Sequence, residues 1–274
     1  MQHATPRLAA PFAATLLAAA SLSLAAPQAL AQNKNGGSAA GVITIDQSKA
    51  INGNVTPGDA AGFPVTITQP GNYRLSGNLV VAQAGVHAIE VTADNVTIDF
   101  DGFTVQGPVV CTTSGGAAAI ACQPHSSASG VHSNRATTVV RNGSVRGFGR
   151  GVNLNGVHGI AEAMRVSHVE STGIVGYDSL LQGNVVYASG GAGIMGTGVI
   201  RGNTVTMVQG TGIAGTEGTL IADNQVRATG FFGINANASG AAGVSRNVVS
   251  TTSGYWPING GVSLGGNVCN GKAC

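Results

Sequence analysis

The sequence predicts an all-β chain wound as a single-stranded right-handed parallel β-helix, a solenoid with about 20 residues in each coil. The first observation behind this prediction is a phrase that occurs three times, as Leu-Leu-Gln-Gly-Asn-Val-Val at 180–186, Val-Ile-Arg-Gly-Asn-Thr-Val at 199–205 and Leu-Ile-Ala-Asp-Asn-Gln-Val at 220–226. Its asparagines are 19 and 21 residues apart. A period this short, with one strand-like run in each unit, is typical of solenoids, whose units bury their apolar faces against one another.

Three apolar columns with the same period provide the other observations. The position two residues after the asparagine is Val145, Val169, Val186, Val205, Val226 and Val249. The position three residues before it is Val140, Met164, Leu181, Ile200, Ile221 and Val244. A small residue followed by an apolar one recurs as Gly130-Val131, Gly151-Val152, Gly173-Ile174, Gly193-Ile194, Gly212-Ile213, Gly233-Ile234 and Gly261-Val262. The units are too short for strand–helix crossovers, and parallel crossovers are usually right-handed, so we expect about seven right-handed coils.

Residues 1–31 have the pattern of a secretory signal peptide. Arg7 precedes an Ala/Leu-rich run that ends in Ala29-Leu30-Ala31, so cleavage is expected after Ala31. A membrane anchor is the alternative, but serines and a proline interrupt the run, and it is short for a bilayer span. No later stretch is long and apolar enough for a span, so the mature chain is predicted to be secreted or periplasmic.

The composition argues against several classes of protein. Charged residues make up 9% of the chain, aromatic residues 4%, and 43 of the 274 residues are glycine, which is unusual for a helical globular enzyme. The formal net charge of +2 gives no electrostatic reason to expect nucleic acid or an acidic membrane surface as a partner.

The four cysteines form two close pairs, Cys111 with Cys122 and Cys269 with Cys274. In an oxidising compartment, each pair is predicted to form a local disulfide. A zinc site is the alternative, but no histidine lies at ligand spacing beside either pair.

The predicted order of segments follows the needs of a solenoid. The first coil would expose strand edges and core, so a cap should precede it. After the signal peptide we expect a flexible leader at 32–40, an N-terminal cap at 41–80, coils at 81–250 and a C-terminal cap at 251–274. The first full coil is expected at 88–105, and residues 107–129 are expected to leave the body as a loop. Tyr255-Trp256-Pro257 is expected to cover the last coil.

Several segments resemble the right-handed parallel β-helix superfamily of pectate lyases and polygalacturonases, and especially the small exported bacterial proteins named only for their parallel β-helix repeats. The resemblance is carried by 66–75 (Thr-Ile-Thr-Gln-Pro-Gly-Asn-Tyr-Arg-Leu), 94–105 (Asp-Asn-Val-Thr-Ile-Asp-Phe-Asp-Gly-Phe-Thr-Val), 140–149 (Val-Arg-Asn-Gly-Ser-Val-Arg-Gly-Phe-Gly) and the cysteine-containing tail. It implies the fold and export, and it implies no reaction.

The polygalacturonase motifs are not found, since Val157-His158-Gly159 is the nearest equivalent of their Gly-His-Gly. The stacked acidic face of calcium-dependent pectate lyases is not evident either.

The asparagine column is predicted to be structural. In a parallel solenoid, equivalent residues of successive coils lie about 4.8 Å apart, so columns can be interpreted as spatial neighbours. Asparagine tolerates the left-handed conformation of a bend, and its amide can bond both the backbone and the next amide. The members of this ladder are Asn184, Asn203, Asn224 and Asn247.

Two outward columns carry arginine. Arg141, Arg165, Gln182 and Arg201 are expected to stack two positions before the asparagine column, and Arg146 is expected to lie over Glu170 as an ion pair. An ordinary solvated face is one interpretation, since exposed pairs contribute little to stability. A cationic strip that meets an anionic polysaccharide is the other.

The candidate site lies in the column that follows the small–apolar pair. Glu90, His132 and Asn153 should be vertical neighbours there, and alternation adds Thr92, Asn134 and Asn155 to the same face. Glu90 and His132 are the candidates for acid–base chemistry, and the other four are candidates for binding. An ordinary polar surface is the alternative. His87, His132 and His158 share a Gly-Val-His phrase but fall at different coil positions, so no metal site and no cofactor is predicted.

These observations favour an exported solenoid that engages polysaccharide along one polar face. A non-catalytic structural or surface scaffold is the first alternative. A carbohydrate lyase or hydrolase with an atypical active site is the second, although the paired carboxylates of glycoside hydrolysis are not evident as a motif.

Overall fold

The computed structural model shows the predicted all-β parallel solenoid. It describes Met1 and residues 41–114, 119–236, 242–252 and 254–274. The fold is 3% helical, and its parallel strands repeat about every 21 residues. About nine coils are present, more than the seven expected. Apart from Met1, the predicted signal peptide and leader lie outside the described residues.

The strands of successive coils stack into three parallel faces, which we number in the order in which each coil visits them. Face 1 contains β2 (Val65–Ile67), β5 (Ile89–Val91), β10 (Ser129–Ser133), β12 (Arg150–Leu154), the first parts of β14 (Ile174–Gln182) and β16 (Ile194–Arg201), β18 (Ile213–Gly215), β21 (Ile234–Asn235) and β24 (Ile258–Asn259). This face holds the candidate site.

Face 2 contains β1 (Ile43–Ile45), β3 (Gly71–Leu75), β6 (Val96–Asp99), the first parts of β11 (Val139–Arg146) and β13 (Ile160–Val169), the last parts of β14 and β16, β19 (Leu220–Ala222), β22 (Gly243–Ser245) and β25 (Val262–Ser263). Face 3 contains β4 (Leu79–Val80), β7 (Thr104–Gln106), the last parts of β11 and β13, β15 (Val185–Ser189), β17 (Thr204–Val208), β20 (Gln225–Thr229), β23 (Val248–Ser250) and β26 (Val268–Cys269). The final strand, β27 (Lys272–Ala273), pairs antiparallel with β26.

The winding begins earlier than the sequence suggested. Strands β2, β3 and β4 pair in parallel with β5, β6 and β7, so a full coil lies within the segment 65–80. Pro70-Gly71 turns the chain from face 1 to face 2, and Gly71 has a φ of 148°. The short helix α1 (Gln47–Asn52) precedes this coil, and its N-cap Asp46 accepts a hydrogen bond from the Lys49 amide.

Two of the predicted columns pack against each other inside the solenoid. The valines of face 3 are buried, and the glycines that open face 1 lie directly against them. A Cβ atom added at Gly193 would lie 2.4 Å from Cγ1 of Val205 and 2.6 Å from the carbonyl oxygen of Gly212. The small–apolar pattern therefore reflects a close approach of backbone and side chain rather than a turn.

The predicted register was wrong in two coils. In the last coil, Ile258 follows Ile234 on face 1, whereas Val262 of the predicted Gly261-Val262 pair lies on face 2 beside Gly243. The other error is in β13. Val166, not Val169, pairs with Val145 and Val186, and Ala161, not Met164, pairs with Val140 and Leu181. Val166 and Val169 are both apolar and buried within the ten-residue strand β13, so the apolar pattern alone did not separate them.

Within the segment expected to form a loop, β8 (Val110–Thr113) and β9 (Ile120–Gln123) pair as an antiparallel hairpin outside the main sheet. Cys111 and Cys122 lie opposite each other in this hairpin, with their Cα atoms 4.1 Å apart. The predicted disulfides Cys111–Cys122 and Cys269–Cys274 are both present and are confirmed. Val109 and Ile120 pack with Ala188 of β15, which fixes the hairpin against face 3.

Candidate functional site

Face 1 carries the predicted stack of polar residues. Glu90 pairs in register with His132, and His132 pairs with Asn153, so the three side chains occupy successive coils. We call Glu90, His132 and Asn153 the polar column. The same register continues through Val175, Met195 and Ala214 and then returns to amides at Asn235 and Asn259.

The His132 imidazole lies between two amides. Its Nδ1 atom is 3.3 Å from Nδ2 of Asn153, and its Nε2 atom is 3.2 Å from Nδ2 of Asn134. Asn155 donates from Nδ2 to Oδ1 of Asn134 at 3.0 Å, which fixes the orientation of the Asn134 amide. A neutral imidazole accepts at only one nitrogen, so one of the two amide N–H groups facing the ring lacks an acceptor.

Asn153 also contributes an acceptor without a donor. Its side chain points outward from β12, yet the residue is only 6% exposed because its neighbours cover it. The Oδ1 atom is buried and has no hydrogen-bond partner among the described residues. Buried polar atoms are nearly always paired, so an unpaired one beside an unpaired donor is a feature that calls for a ligand or water.

The structure adds His87, which the sequence analysis had not assigned to the site. Its ring stacks on that of His132, with centroids 4.5 Å apart and planes 9° apart. The Ser129 amide donates to Nδ1 of His87 at 2.9 Å, so the proton of the neutral ring lies on Nε2. His87 precedes β5 and lies outside the column, and the shared Gly-Val-His phrase was the only signal that could have found it.

Burial lowers the pKa of His87, and the neighbouring His132 and Arg150 lower it further, while the charge of Glu90 acts in the opposite direction. The neutral ring is therefore favoured in the folded protein. Because the Ser129 amide already occupies Nδ1, the neutral ring can offer a ligand only the N–H donor at Nε2.

Glu90 does not bond His132. Among the described residues, no hydrogen bond or ion pair reaches its carboxylate, which is half-buried between Thr66 and His132 in the register. Thr92 is already engaged, since its hydroxyl donates to the Ile67 carbonyl oxygen at 3.1 Å. Acid–base chemistry by Glu90 and His132 would therefore have to act through a substrate that contacts both.

Of the two interpretations of the arginine columns, the cationic strip is wrong. On face 2, Arg141 is followed in register by Glu162, Gln182 and Arg201, while Arg165 lies beside Val185. The two outer arginines are already bonded, Arg141 to Asp99 at 3.1 Å and Arg201 to Oε1 of Gln182 at 2.9 Å. The surface therefore alternates in charge.

The predicted ion pair of Arg146 with Glu170 is also wrong. Arg146 donates to Oε1 of Gln106 at 2.7 Å, and its register neighbour in β13 is Ser167. Glu170 instead binds the segment that follows the hairpin, through Nδ1 of His125 at 2.5 Å and the Ser126 amide at 2.6 Å. Both errors follow from the register shift in β13.

The asparagine ladder is structural, as predicted, and one rung longer. In each of the first four rungs the backbone N–H and the Nδ2 group donate to Oδ1 of the next asparagine, and the rungs are Asn184, Asn203, Asn224, Asn247 and Asn267. The expectation that these asparagines take the left-handed conformation is wrong. The residue before each one takes it, as Gly183 (φ 63°) and Asp223 (φ 58°) show.

No protein-family model, curated protein or solved structure matches this chain. The structure supports the solenoid part of the resemblance noted in the sequence, and the comparisons supply no site residue. Within the described residues, no three His, Cys, Asp or Glu side chains gather where they could hold a metal ion. The same part of the chain contains no helix long and apolar enough to cross a membrane.

Proposed function

We propose that this protein is an exported β-solenoid that binds a neutral polysaccharide along face 1, with the polar column as the contact. The observation that carries this proposal is the spare donor beside the spare acceptor at His132 and Asn153. Sugar hydroxyls both donate and accept, so they suit a site that offers an amide donor and an amide acceptor. The rigid stack of coils holds these side chains before the ligand arrives, which lowers the entropic cost of binding.

The charges on face 1 favour a neutral ligand. The Glu90 carboxylate has no bonded cation among the described residues, so an acidic sugar placed over it would meet like charge. The arginines of face 2 give no reason to expect an anionic ligand either, because Arg141 and Arg201 already bind Asp99 and Gln182 of the same chain.

Export is part of the proposal. It rests on the signal-like segment at 1–31 and on two disulfides, which persist in oxidising compartments. Turnover is not part of it, because Glu90 is the only carboxylate of the polar column and both routes of glycoside hydrolysis usually use two.

The test begins with the full chain on an array of neutral and anionic polysaccharides, followed by calorimetry with the neutral polymer that binds best. We expect His132→Ala combined with Asn153→Ala to weaken that binding by at least about tenfold, the loss that corresponds to one or two hydrogen bonds. Glu90→Gln should improve binding of anionic polymers without weakening the neutral one.

His158→Ala is the matched control. It carries the same Gly-Val-His phrase but lies at another coil position, 3.4 Å from Asp178, and is exposed. It should bind like the unchanged protein. An array without any bound polysaccharide would favour the scaffold function, and full binding by the double variant would place the contact elsewhere.

A further inference from the structure

Face 1 becomes polar again at its C-terminal end. Asn235 and Asn259 occupy the same register position as the polar column, and Asn259 donates from Nδ2 to Oδ1 of Asn235 at 3.0 Å. Between the two polar regions the position is held by three apolar residues, Val175, Met195 and Ala214.

Aromatic rings gather where the chain enters these two last strands of face 1. The rings of Phe231 and Tyr255 stack with centroids 4.5 Å apart, and Phe232 meets Tyr255 edge-on at 5.5 Å. Phe231 is 47% exposed, Tyr255 44% and Trp256, the next residue, 72%. In the described part of the chain the only other exposed large aromatic residue is Tyr177, so this concentration is local. We call Phe231, Phe232, Tyr255 and Trp256 the aromatic corner.

The aromatic corner does not cover the last coil as the sequence suggested. Trp256 borders a cleft of about 310 Å³ at the end of the solenoid together with Val244 and Asn267, and most of its surface is open. Val262 and Leu264 of the last coil are exposed as well. The rings therefore present apolar surface outward where the chain enters the strands that carry Asn235 and Asn259.

We propose that the aromatic corner, with Asn235 and Asn259, is a second saccharide subsite on face 1. The inference rests on the proposed function for the class of its ligand. Flat aromatic rings offer a large apolar area at little cost in conformational entropy, and this area suits the C–H face of a pyranose ring. Neighbouring amides then pair with its hydroxyls, which is the usual combination of apolar wall and few polar groups in a ligand site.

The register sets the distance between the two subsites. Asn153 and Asn235 are separated by four coil steps, and at about 4.8 Å per step the two positions lie about 19 Å apart. One extended oligosaccharide that spans this distance can occupy both. Occupation of the second subsite then becomes intramolecular, so affinity should rise steeply once the ligand is long enough.

The single tryptophan of the chain makes this subsite observable. We would titrate the full chain with size-defined oligosaccharides of the neutral polymer that binds best, and follow Trp256 emission together with calorimetry. Long oligosaccharides should change the emission with the same Kd that calorimetry gives. Tyr255→Ala should weaken the binding of long oligosaccharides by about tenfold and leave oligosaccharides too short to span the two subsites nearly unaffected. Tyr177→Ala removes the exposed tyrosine of β14. It should change neither the affinity for long oligosaccharides nor the affinity for short ones.

The outcomes separate this inference from the proposed function. If long oligosaccharides bind without a change in Trp256 emission and Tyr255→Ala retains full affinity, the second subsite is overturned and binding at the polar column stands. If no saccharide binds, both proposals fall. If emission instead changes with protein concentration while light scattering reports a doubled mass, the corner is a contact between two copies of this chain, and the saccharide subsite is overturned.

Discussion

Two stacks of polar side chains extend across successive coils of this solenoid. They differ in how completely their hydrogen-bond donors and acceptors are paired. The asparagine ladder at the bend between faces 2 and 3 is buried and repeats one arrangement through five rungs. The polar column on face 1 changes residue type at every rung, from Glu90 to His132 to Asn153. Repetition in the first stack and variation in the second are the clearest difference between scaffold and candidate site.

In the ladder every rung is satisfied by the protein itself. The Asn203 side chain accepts from the backbone and side chain of Asn184, and its Nδ2 group donates to the Leu181 carbonyl and to Asn224. In the polar column, the groups around His132 and Asn153 leave a donor and an acceptor unpaired. A fully paired buried network stabilises the fold, whereas an incompletely paired one costs stability.

Breaking the ladder should have the largest effect. Asn203→Ala removes four hydrogen bonds and takes these partners from the buried backbone N–H of Asn184 and the Leu181 carbonyl, whereas Oδ1 of Asn224 keeps the backbone N–H of residue 203. We expect the free energy of unfolding to fall by about 3–5 kcal/mol, since each stranded buried group costs about 1–3 kcal/mol and the neighbours relax in part. Urea unfolding followed by circular dichroism measures this.

The matched control is Asn155→Ala, which removes one exposed amide bond to Asn134. It should change the free energy of unfolding by less than about 0.5 kcal/mol. Equal losses for the two variants would contradict the structural role assigned to the ladder.

The sequence was sufficient to predict the parts of the fold that repeat. The period and the adjacency of Glu90, His132 and Asn153 follow from alternation once one coil is anchored, and the structure confirms them. The apolar columns hold except in β13 and in the last coil. The disulfides followed from the closeness of the cysteines in sequence.

The sequence was insufficient where residue type does not determine backbone shape. Ala163, Asp223 and Arg246 take the left-handed conformation at bends where other coils use glycine, so bends could not be located by composition. In β13 two apolar valines competed for one register, and the wrong choice displaced the neighbouring arginine column. His87 was missed because its ring reaches the site from outside the strand.

Filling the polar column with an apolar residue should stabilise the protein and abolish its contact with ligand. Asn153→Val removes the buried Oδ1 that has no donor and places a β-branched residue next to Val175 in the register. We expect the free energy of unfolding to rise by about 1 kcal/mol, the opposite sign to Asn203→Ala, together with loss of polysaccharide binding. Thermal unfolding and calorimetry on the same preparation test both, and a clear loss of stability would show that Asn153 is a structural residue.

The smallest effect concerns the pH dependence of stability and rests on His87, which stacks on His132 of the polar column, whereas the ladder has no titratable group. Because burial lowers the pKa of His87 in the folded state, the unfolded chain binds its proton more readily. The stability that this group contributes is therefore present above its ordinary pKa near 6.5 and is lost as the pH falls from that value towards the lower pKa of the folded state. His87→Gln keeps an acceptor for the Ser129 amide and does not titrate, so stability should decline less steeply over this window. His158→Gln, whose imidazole is exposed, should follow the unchanged protein, and parallel curves for the two variants would show that His87 does not carry the pH dependence.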